Sequence, residues 1–316
     1  MFIRILSLAL LFAACDKTNL SDSSEPAGLE DAKKVISRRN TAGKARKLTS
    51  VSLRWIPNKV FLEEFAGSDP VKKEVISISG IKNDQEITNG LGFYSTRDPG
   101  AAFANTYKAE EDIVYRGEQS RYAEIFFQAE KVFLYSDTSI KDNFKEALKK
   151  LTELHNNKVK VDEDSWKNDR QWSRIEKSLS EPREFPAGSF AWFPLKVKQE
   201  LSNKFTDPNW FKKWDKKSVK VMSKIHAARF KAEPDLFLSL VATKPDSIIV
   251  ENAKANDIRW GNGADGKGRN LLGLLYMTHR QRFFNDFAAK NPSKTFNPDD
   301  PVDVAFMLRW LKSYDG

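Results

Sequence analysis

Apolar residues recur along most of the chain with the spacing of an α-helix. This spacing predicts helices in residues 121–135, 140–155, 209–231, 233–242 and 303–314. A further apolar run, residues 271–277, is typical of a buried helix. Short stretches rich in β-branched residues predict strands, namely 51–55, 74–79 and 247–250. We therefore expect an α+β fold that is predominantly helical.

A glycine-rich stretch stands directly before the apolar run at 271–277. Its glycines are Gly261, Gly263, Gly266 and Gly268. A loop of this kind before a helix presents backbone N–H groups that suit a phosphate or another anion. The spacing matches a dinucleotide-binding fingerprint, but the predicted strand ends too early for that motif. A P-loop is disfavoured because Gly268 stands where Ser or Thr would bind Mg²⁺, and a tight turn before a core helix remains the structural alternative.

The predicted helix at 121–135 carries one narrow polar stripe. Glu124, Gln128 and Lys131 follow the spacing i, i+4, i+7, which places them on one face, whereas the other faces are largely apolar. A polar stripe on such a helix must be paired, hydrated or line a cavity. The alternative is a surface stripe whose ion pair contributes a few tenths of a kcal/mol.

The first residues predict export. Residues 1–14 combine a short basic head with an apolar stretch that is too short to span a bilayer, as in a secretory signal. The stretch ends at Cys15, the only cysteine, and resembles a bacterial lipobox in which Cys15 would become the lipidated first residue. Residues 15–50, rich in Lys and Arg, then predict a flexible tether. We expect a membrane-anchored lipoprotein of the cell envelope; a cytoplasmic protein is the alternative.

The charge balance favours acidic partners. The chain has 52 basic and 43 acidic residues, a formal net charge of +9, which suits nucleotides, nucleic acid or an anionic membrane without choosing among them. Its 3 histidines show no metal-binding spacing and no Ser-His-Asp order.

Three ordered motifs resemble the NADAR family, also called YbiA-like. The first is Gly-Phe93-Tyr94-Ser followed by Phe-Ala-Asn105. The second, residues 124–131, reads Glu-Ile-Phe-Phe-Gln-Ala-Glu-Lys, and the third begins Asp257-x-x-Trp260-Gly-x-Gly and continues to Arg280. The similarity covers residues 92–284 and is far more specific than any one motif.

The resemblance implies a domain organisation and an activity. Residues 51–290 would form one YbiA-like domain with an insertion at about 156–205, and residues 291–316 a C-terminal helical extension. The family cleaves N-glycosidic bonds, with ADP-ribosyl-guanine and phosphorylated riboflavin-pathway intermediates as its substrates. The implied partner is thus an ADP-ribosyl or phosphorylated nucleoside-like compound, free or on nucleic acid. No cofactor is required, and the oligomeric state is left open.

The resemblance also implies roles for single residues. Glu124 would stabilise charge or act as acid or base, Lys131 would attack an opened sugar as a Schiff base, and Asp257 would be a second carboxylate. The remaining expected ligand contacts are Phe93, Tyr94, Asn105, Gln128, Trp260, Gly261, Gly263, Gly266, Gly268, Asn270 and Arg280.

Each of these assignments has a structural alternative. Asp257 could bond its own turn, Trp260 could be a core aromatic, and Asn270 could cap a helix. Arg280 could be a phosphate clamp or a charge near a helix C-terminus.

Three departures from the family pattern bear on activity. Ile125 stands where the family usually has His, Glu130 replaces a usual Gln, and Thr106 and Tyr107 replace part of a loop pattern. Losing a His beside Glu124 favours the rival interpretation, an inert lipoprotein module that binds an ADP-ribose-like ligand. The presence of both the acid and the lysine favours an enzyme.

Overall fold

A computed structural model describes residues 28–41, 48–55, 87–93, 100–105, 107–135, 210–251, 257–263 and 268–316. The predicted strand at 74–79, the predicted helix at 140–155, the expected insertion and the segment around Cys15 lie outside the described residues. Within the described part, helices hold most of the residues and the strands are short, which confirms a predominantly helical α+β fold.

The described elements alternate between short strands and longer helices. In chain order they are α1 (Leu29–Thr41), β1 (Thr49–Trp55), β2 (Ile87–Phe93), a single 3₁₀ turn (Ala101–Phe103), β3 (Ile113–Tyr115), β4 (Glu118–Ser120), α2 (Ala123–Tyr135), α3 (Trp210–Ala232), α4 (Pro234–Val241), β5 (Ile249–Glu251), α5 (Leu271–Lys290) and α6 (Pro301–Ser313). The helices predicted at 121–135, 209–231, 233–242, 271–277 and 303–314 are therefore confirmed, with ends that differ by a few residues.

One described sheet has the strand order β1-β2-β5. β2 pairs antiparallel with β1 and parallel with β5, and the parallel register places Phe93 opposite Glu251. The carboxyl ends of β2 and β5 therefore lie together, at the edge where sites form in sheets with parallel pairs.

A small hairpin was missed by the sequence analysis. β3 and β4 pair antiparallel through a turn at Arg116 and Gly117, whose φ angles are +52° and +81°. Two positive φ angles in a two-residue turn match the right-handed twist of the flanking strands. Strands of three residues carry too little alternation to be recognised from sequence.

The expectation of a flexible tether is wrong for Leu29–Thr41. These residues form α1, which packs against α4 and α6 and buries Ala32 and Val35. Acidic residues stand in its first turn and basic residues in its last, which stabilises the helix through its dipole. Arg39 also pairs with Asp299 in the loop before α6.

The core between α4, α5 and α6 is rich in aromatic rings. Phe283 on α5 makes edge contacts with Phe237, Phe296 and Trp310 at centroid distances of 5.7, 4.9 and 5.4 Å. Such contacts contribute about 0.5–1.5 kcal/mol each beyond the burial of their area. Among the described residues, no helix has both the length and the apolar composition needed to cross a bilayer.

Candidate active site

The polar stripe on α2 forms a chain of side-chain hydrogen bonds. The Gln128 amide donates to a carboxylate oxygen of Glu124, and Lys131 Nζ donates to Gln128 Oε1 at 2.9 Å. Gln128 is buried, whereas Glu124 and Lys131 are partly buried. The three side chains therefore act as one paired unit, as the helical spacing predicts.

Burial raises the pKa of Glu124 and lowers that of Lys131, so it favours the neutral form of each side chain. Desolvation raises the pKa of Glu124, although the Lys131 charge and the Gln128 hydrogen bond oppose the shift. Desolvation lowers the pKa of Lys131 to about 8, against the attraction of Glu124. At pH 7 about a tenth of Lys131 is then a neutral amine.

Aromatic rings surround the Lys131 ammonium. Its Nζ lies 4.9 Å from the centroid of Phe127 and 5.7 Å from that of Trp214. Trp260 is partly buried and meets Phe127 edge-on, with the two ring centroids 5.2 Å apart. The guanidinium carbon of Arg259 lies 5.6 Å from the centroid of the Trp260 ring. Trp260 thus belongs to the wall of the site and packs against the core at the same time.

Asp257 both shapes its own turn and belongs to the charge cluster. Its Oδ1 accepts hydrogen bonds from the backbone N–H groups of Arg259 and Trp260, at 3.0 and 2.9 Å. Its charge also acts on the pKa of Glu124 and of Lys131, which brings the loop carboxylate to the α2 stripe. The turn and the site interpretations are therefore compatible.

A third carboxyl group, that of Glu251, was missed by the sequence analysis. It ends β5 and is partly buried, and its Oε2 is buried with no hydrogen-bond partner among the described residues. Burial raises the pKa of Glu251 well above its usual value, and the charges of Asp257 and Glu124 raise it further. The sequence offered only a strand end as a signal, because the cluster depends on the pairing of distant segments.

Asn270 joins the glycine-rich loop to β5. Its φ of +49° is left-handed, its Nδ2 donates to the carbonyl of Ile249 at 2.9 Å, and its Oδ1 accepts from the N–H of Glu251 at 2.9 Å. The side chain is fully buried and makes no capping bond to α5. The side chain therefore links the loop to β5 instead of capping α5, and its predicted ligand contact stays a prediction.

The backbone amides of the glycine-rich loop are used within the fold. Gly263 donates to the carbonyl of Asp257 at 3.1 Å, and Gly268 donates to that of Asn262 at 2.7 Å. The first amides of α5, those of Leu271 and Leu272, donate to the loop as well. The amides of Gly263 and Gly268 are thus bonded within the fold, and the predicted contact of the glycine-rich loop with a phosphate stays a prediction.

One of the loop's glycines contributes by its small size. A Cβ on Gly268 would lie 2.4 Å from the carbonyl oxygen of Gly261, so the two turns of the loop can pack only without it. Gly261 is buried in this packing, whereas Gly266 lies outside the described residues.

Asn105 positions the start of α2. Its carbonyl accepts from the N–H of Glu124 at 3.1 Å, while its side chain contacts α3 through His226 Nε2 at 3.0 Å and Met222 Sδ at 3.2 Å. Burial, with the nearby charges of His279 and Arg229, holds the pKa of His226 well below its usual value. Asn105 therefore holds the backbone beside Glu124 through its carbonyl, while its side chain bonds to two residues of α3.

Phe93 and Arg280 have structural surroundings, and Tyr94 lies outside the described residues. Phe93 is buried and meets Tyr276 edge-on at 5.3 Å. Arg280 donates to Thr243 Oγ1 and to the carbonyls of Pro245 and Ser247, at 2.6, 2.8 and 2.7 Å. The guanidinium thus fastens the segment before β5, and the described contacts favour neither alternative offered by the sequence.

The departure at Glu130 has a local partner. Glu130 is fully buried on α2 and accepts hydrogen bonds from the Tyr115 hydroxyl at 2.7 Å and from Arg116 Nε at 2.5 Å. The left-handed turn at Arg116 brings the guanidinium to this carboxylate. The acid next to Lys131 therefore fixes the β3–β4 hairpin on α2.

No metal cluster marks the site within the described part. No group of three or more His, Cys, Asp or Glu residues there could hold a metal ion. A groove of about 390 Å³ runs between the hairpin, α3 and the end of the chain, and Arg116, Lys224, Lys231 and Tyr314 are among its walls. It shares no residue with the cluster around Glu124, and we assign the chemistry to the cluster because its charged groups are desolvated and coupled.

Taken together, these features define an α+β domain in which the acid–amide–lysine chain of one helix interacts electrostatically with two further carboxyl groups, one at a strand end and one on a loop. Residues 193–284 match the NADAR domain family. The chain is also 30% identical over 126 residues to N-glycosidase YbiA of Escherichia coli (strain K12) and of Shigella flexneri, covering 39% of this chain and 74% of each relative. The chain therefore belongs to the NADAR, or YbiA-like, family, as its motifs indicate.

Proposed function

We propose that the protein is an N-glycosidase that hydrolyses the bond between ribose C1 and a base nitrogen in an ADP-ribosyl or ribosyl-phosphate compound. The observation that carries the proposal is the hydrogen-bonded chain Glu124–Gln128–Lys131 in partly buried surroundings. The activity named for the YbiA relatives supports the same class of reaction.

Glu124 supplies the negative charge that this reaction needs. Cleavage of a ribosyl C1–N bond passes through an oxocarbenium-like transition state, which a nearby carboxylate stabilises. The amide of Gln128 and the charge of Lys131 favour the ionised form of Glu124. Preorganised charge in a desolvated site acts more strongly than the same charge in water.

Lys131 supplies a nucleophile for the sugar. With a pKa of about 8, it reaches its neutral form near physiological pH. A neutral amine attacks ribose C1 as the bond to the base breaks and the base leaves with a proton. Opening of the sugar ring then gives a Schiff base on the lysine, which water hydrolyses to release the sugar. Burial lowers the pKa of the amine, and the rings of Phe127 and Trp214 form part of its surroundings.

The first test is turnover by the full chain. It is incubated with ADP-ribosylated guanine nucleotide and, separately, with phosphoribosyl riboflavin intermediates, and released sugar phosphate is followed by mass spectrometry. Glu124→Gln should lower kcat by about 10²–10³-fold, whereas the exposed control Glu111→Gln should leave it unchanged. No release, with ADP-ribose still bound in calorimetry, would favour the inert binding module.

We further propose that a lipid on Cys15 tethers the protein to the cell envelope, with a substrate outside the cytoplasm. The lipobox-like ending of the first segment supports this. Membrane fractionation of the full chain against Cys15→Ala tests it, and an unchanged distribution between the fractions would refute it.

A further inference from the structure

Two acids of the candidate site lie in contrasting surroundings. Glu124 accepts a hydrogen bond from Gln128 and faces the Lys131 charge, both of which favour the carboxylate. The charges that act on Glu251, those of Glu124 and Asp257, are both negative. On α5, Tyr276 is close enough for Glu251 to raise the pKa of its hydroxyl, and it stays neutral. Burial raises the pKa of both acids, but Lys131 and Gln128 oppose the rise at Glu124 whereas the negative neighbours of Glu251 add to it, so Glu251 is the acid that keeps its proton more readily.

The Glu251 backbone is fixed on both sides. Its N–H donates to Asn270 Oδ1 at 2.9 Å, and its carbonyl accepts from the Asn262 N–H at 3.0 Å. Parallel pairing with β2 sets its register opposite Phe93. A rigid strand end positions a reacting side chain better than a loop does. Its Oε2 is buried and makes no hydrogen bond to any described residue.

We infer that Glu251 is the general acid of the proposed reaction and gives its proton to the departing base. The inference rests on the proposed function, because it assigns a role within the same site. Two carboxyl groups whose surroundings push their pKa values apart are the usual arrangement for dividing proton donation from charge stabilisation. Glu124 keeps the charge that stabilises C1, and Glu251 keeps the proton that the leaving group needs.

The proton balance of the step is complete. As the bond between C1 and the base nitrogen breaks, its electron pair stays on the nitrogen, which takes the proton of Glu251. The nucleophile that takes C1, whether water or the Lys131 amine, gives up one proton, and this restores the Glu251 carboxyl. Hydrolysis of a Schiff base returns the lysine, so the net reaction consumes one water for each bond cleaved.

The experiment compares two leaving groups in the full chain. One substrate is a ribosyl phosphate of a neutral base, which must be protonated to leave. The other is the nitrophenyl ribosyl phosphate, whose leaving group departs as a stable anion. Glu251→Gln should lower kcat on the base substrate by about 10²–10⁴-fold and on the nitrophenyl substrate by less than about tenfold. Equal losses on both, or an unchanged kcat on the base, would overturn the inference.

Further variants separate this inference from folding and from the proposed function. Glu251→Asp keeps an acid at a displaced position, and it should retain a descending limb at high pH that Glu251→Gln lacks. Thermal melting of both variants checks the fold, with Glu111→Gln as the exposed control. If the wild-type chain cleaves neither substrate, the proposed function fails; if it cleaves both and Glu251→Gln loses them equally, only the acid role of Glu251 fails.

Discussion

Asn270 Oδ1 accepts the backbone N–H of Glu251 at 2.9 Å, so the loop before α5 and the strand end that carries an acid of the site are directly joined. The Nδ2 of the same side chain donates a second hydrogen bond to β5, to the carbonyl of Ile249 at 2.9 Å. This link takes the place of the helix cap that the sequence offered as the structural alternative.

We therefore predict that Asn270→Ala destabilises the fold strongly. Both β5 groups would lose their buried partner, at about 1–3 kcal/mol for each unsatisfied group, and alanine also disfavours the φ of +49°. Urea unfolding should show a free energy of unfolding lower by about 2–5 kcal/mol. Asn285→Ala, on the exposed face of α5, is the matched control and should change it by less than about 0.5 kcal/mol.

Lys131 gives a prediction about pH. Because its pKa is about 8, the neutral amine becomes more abundant as pH rises toward and through 8, and the rate of a Schiff-base step should rise with it until the descending limb set by Glu251 begins. Borohydride added during turnover should trap a sugar adduct on Lys131, seen by peptide mass spectrometry.

The variant Lys131→Arg distinguishes a nucleophilic role of Lys131 from a purely electrostatic one. Arginine keeps the cation beside Glu124 but does not lose its proton, so the variant should neither turn over nor be trapped. Lys224→Arg, exposed on α3, should behave as wild type. Retained turnover in Lys131→Arg, together with a wild-type rate that falls above pH 8, would instead assign the lysine a purely electrostatic role.

The helices and the polar stripe could be predicted because their signals are local. The spacing of Glu124, Gln128 and Lys131 follows the helical period, and their hydrogen bonds run along one helix face. Helix α1 was missed since its apolar residues are few and basic residues dominate the segment. Its burial depends on contacts with α4 and α6, which the local pattern does not contain.

Residues that depend on distant partners could not be predicted. Glu251 joins the acids only because β5 pairs with β2 and the loop at Asp257 returns to α2. The same holds for Asn270 and for the amides of Gly263 and Gly268, whose bonds form across the loop and strand. A glycine-rich sequence before a helix predicts where a turn lies. Which of its backbone N–H groups are free to bind a ligand depends on how the turn folds.

Arg280 is expected to contribute to stability rather than to phosphate binding. It holds Thr243, Pro245 and Ser247 through three hydrogen bonds and is almost fully buried, at 2% exposure. Arg280→Ala should lower the free energy of unfolding by about 3–5 kcal/mol, as for a broken buried charged network.

Substrate titration distinguishes the two roles of Arg280. KM measured below the melting temperature of Arg280→Ala should stay within about twofold of wild type, since no phosphate contact is lost. Arg309→Ala, exposed on α6, is the control for stability. A KM raised tenfold or more with unchanged melting would assign the guanidinium to the ligand.

Two buried histidines predict acid sensitivity. Burial and the charges of His279 and Arg229 hold the pKa of His226 far below its usual value. Burial and Arg282 lower that of His279, which bonds Tyr314 at 2.6 Å, to about 3. Below about pH 6.5 these two imidazoles bind protons in the unfolded chain but not in the folded one. Their contribution to the free energy of unfolding is therefore fully present above that pH and is lost as pH falls toward 3.

The slope of stability against pH measures this effect. Each histidine should remove about 1.4 kcal/mol per pH unit in that window, and the double variant His226→Phe, His279→Phe should flatten the slope even though it is less stable overall. Glu124 and Glu251, whose raised pKa values give the opposite slope, are present in both proteins and cancel in the difference. Urea unfolding from pH 7 to pH 5 gives both slopes. Equal slopes would mean that the two rings gain protons in the folded protein as readily as in the unfolded chain, and the burial argument would then be wrong.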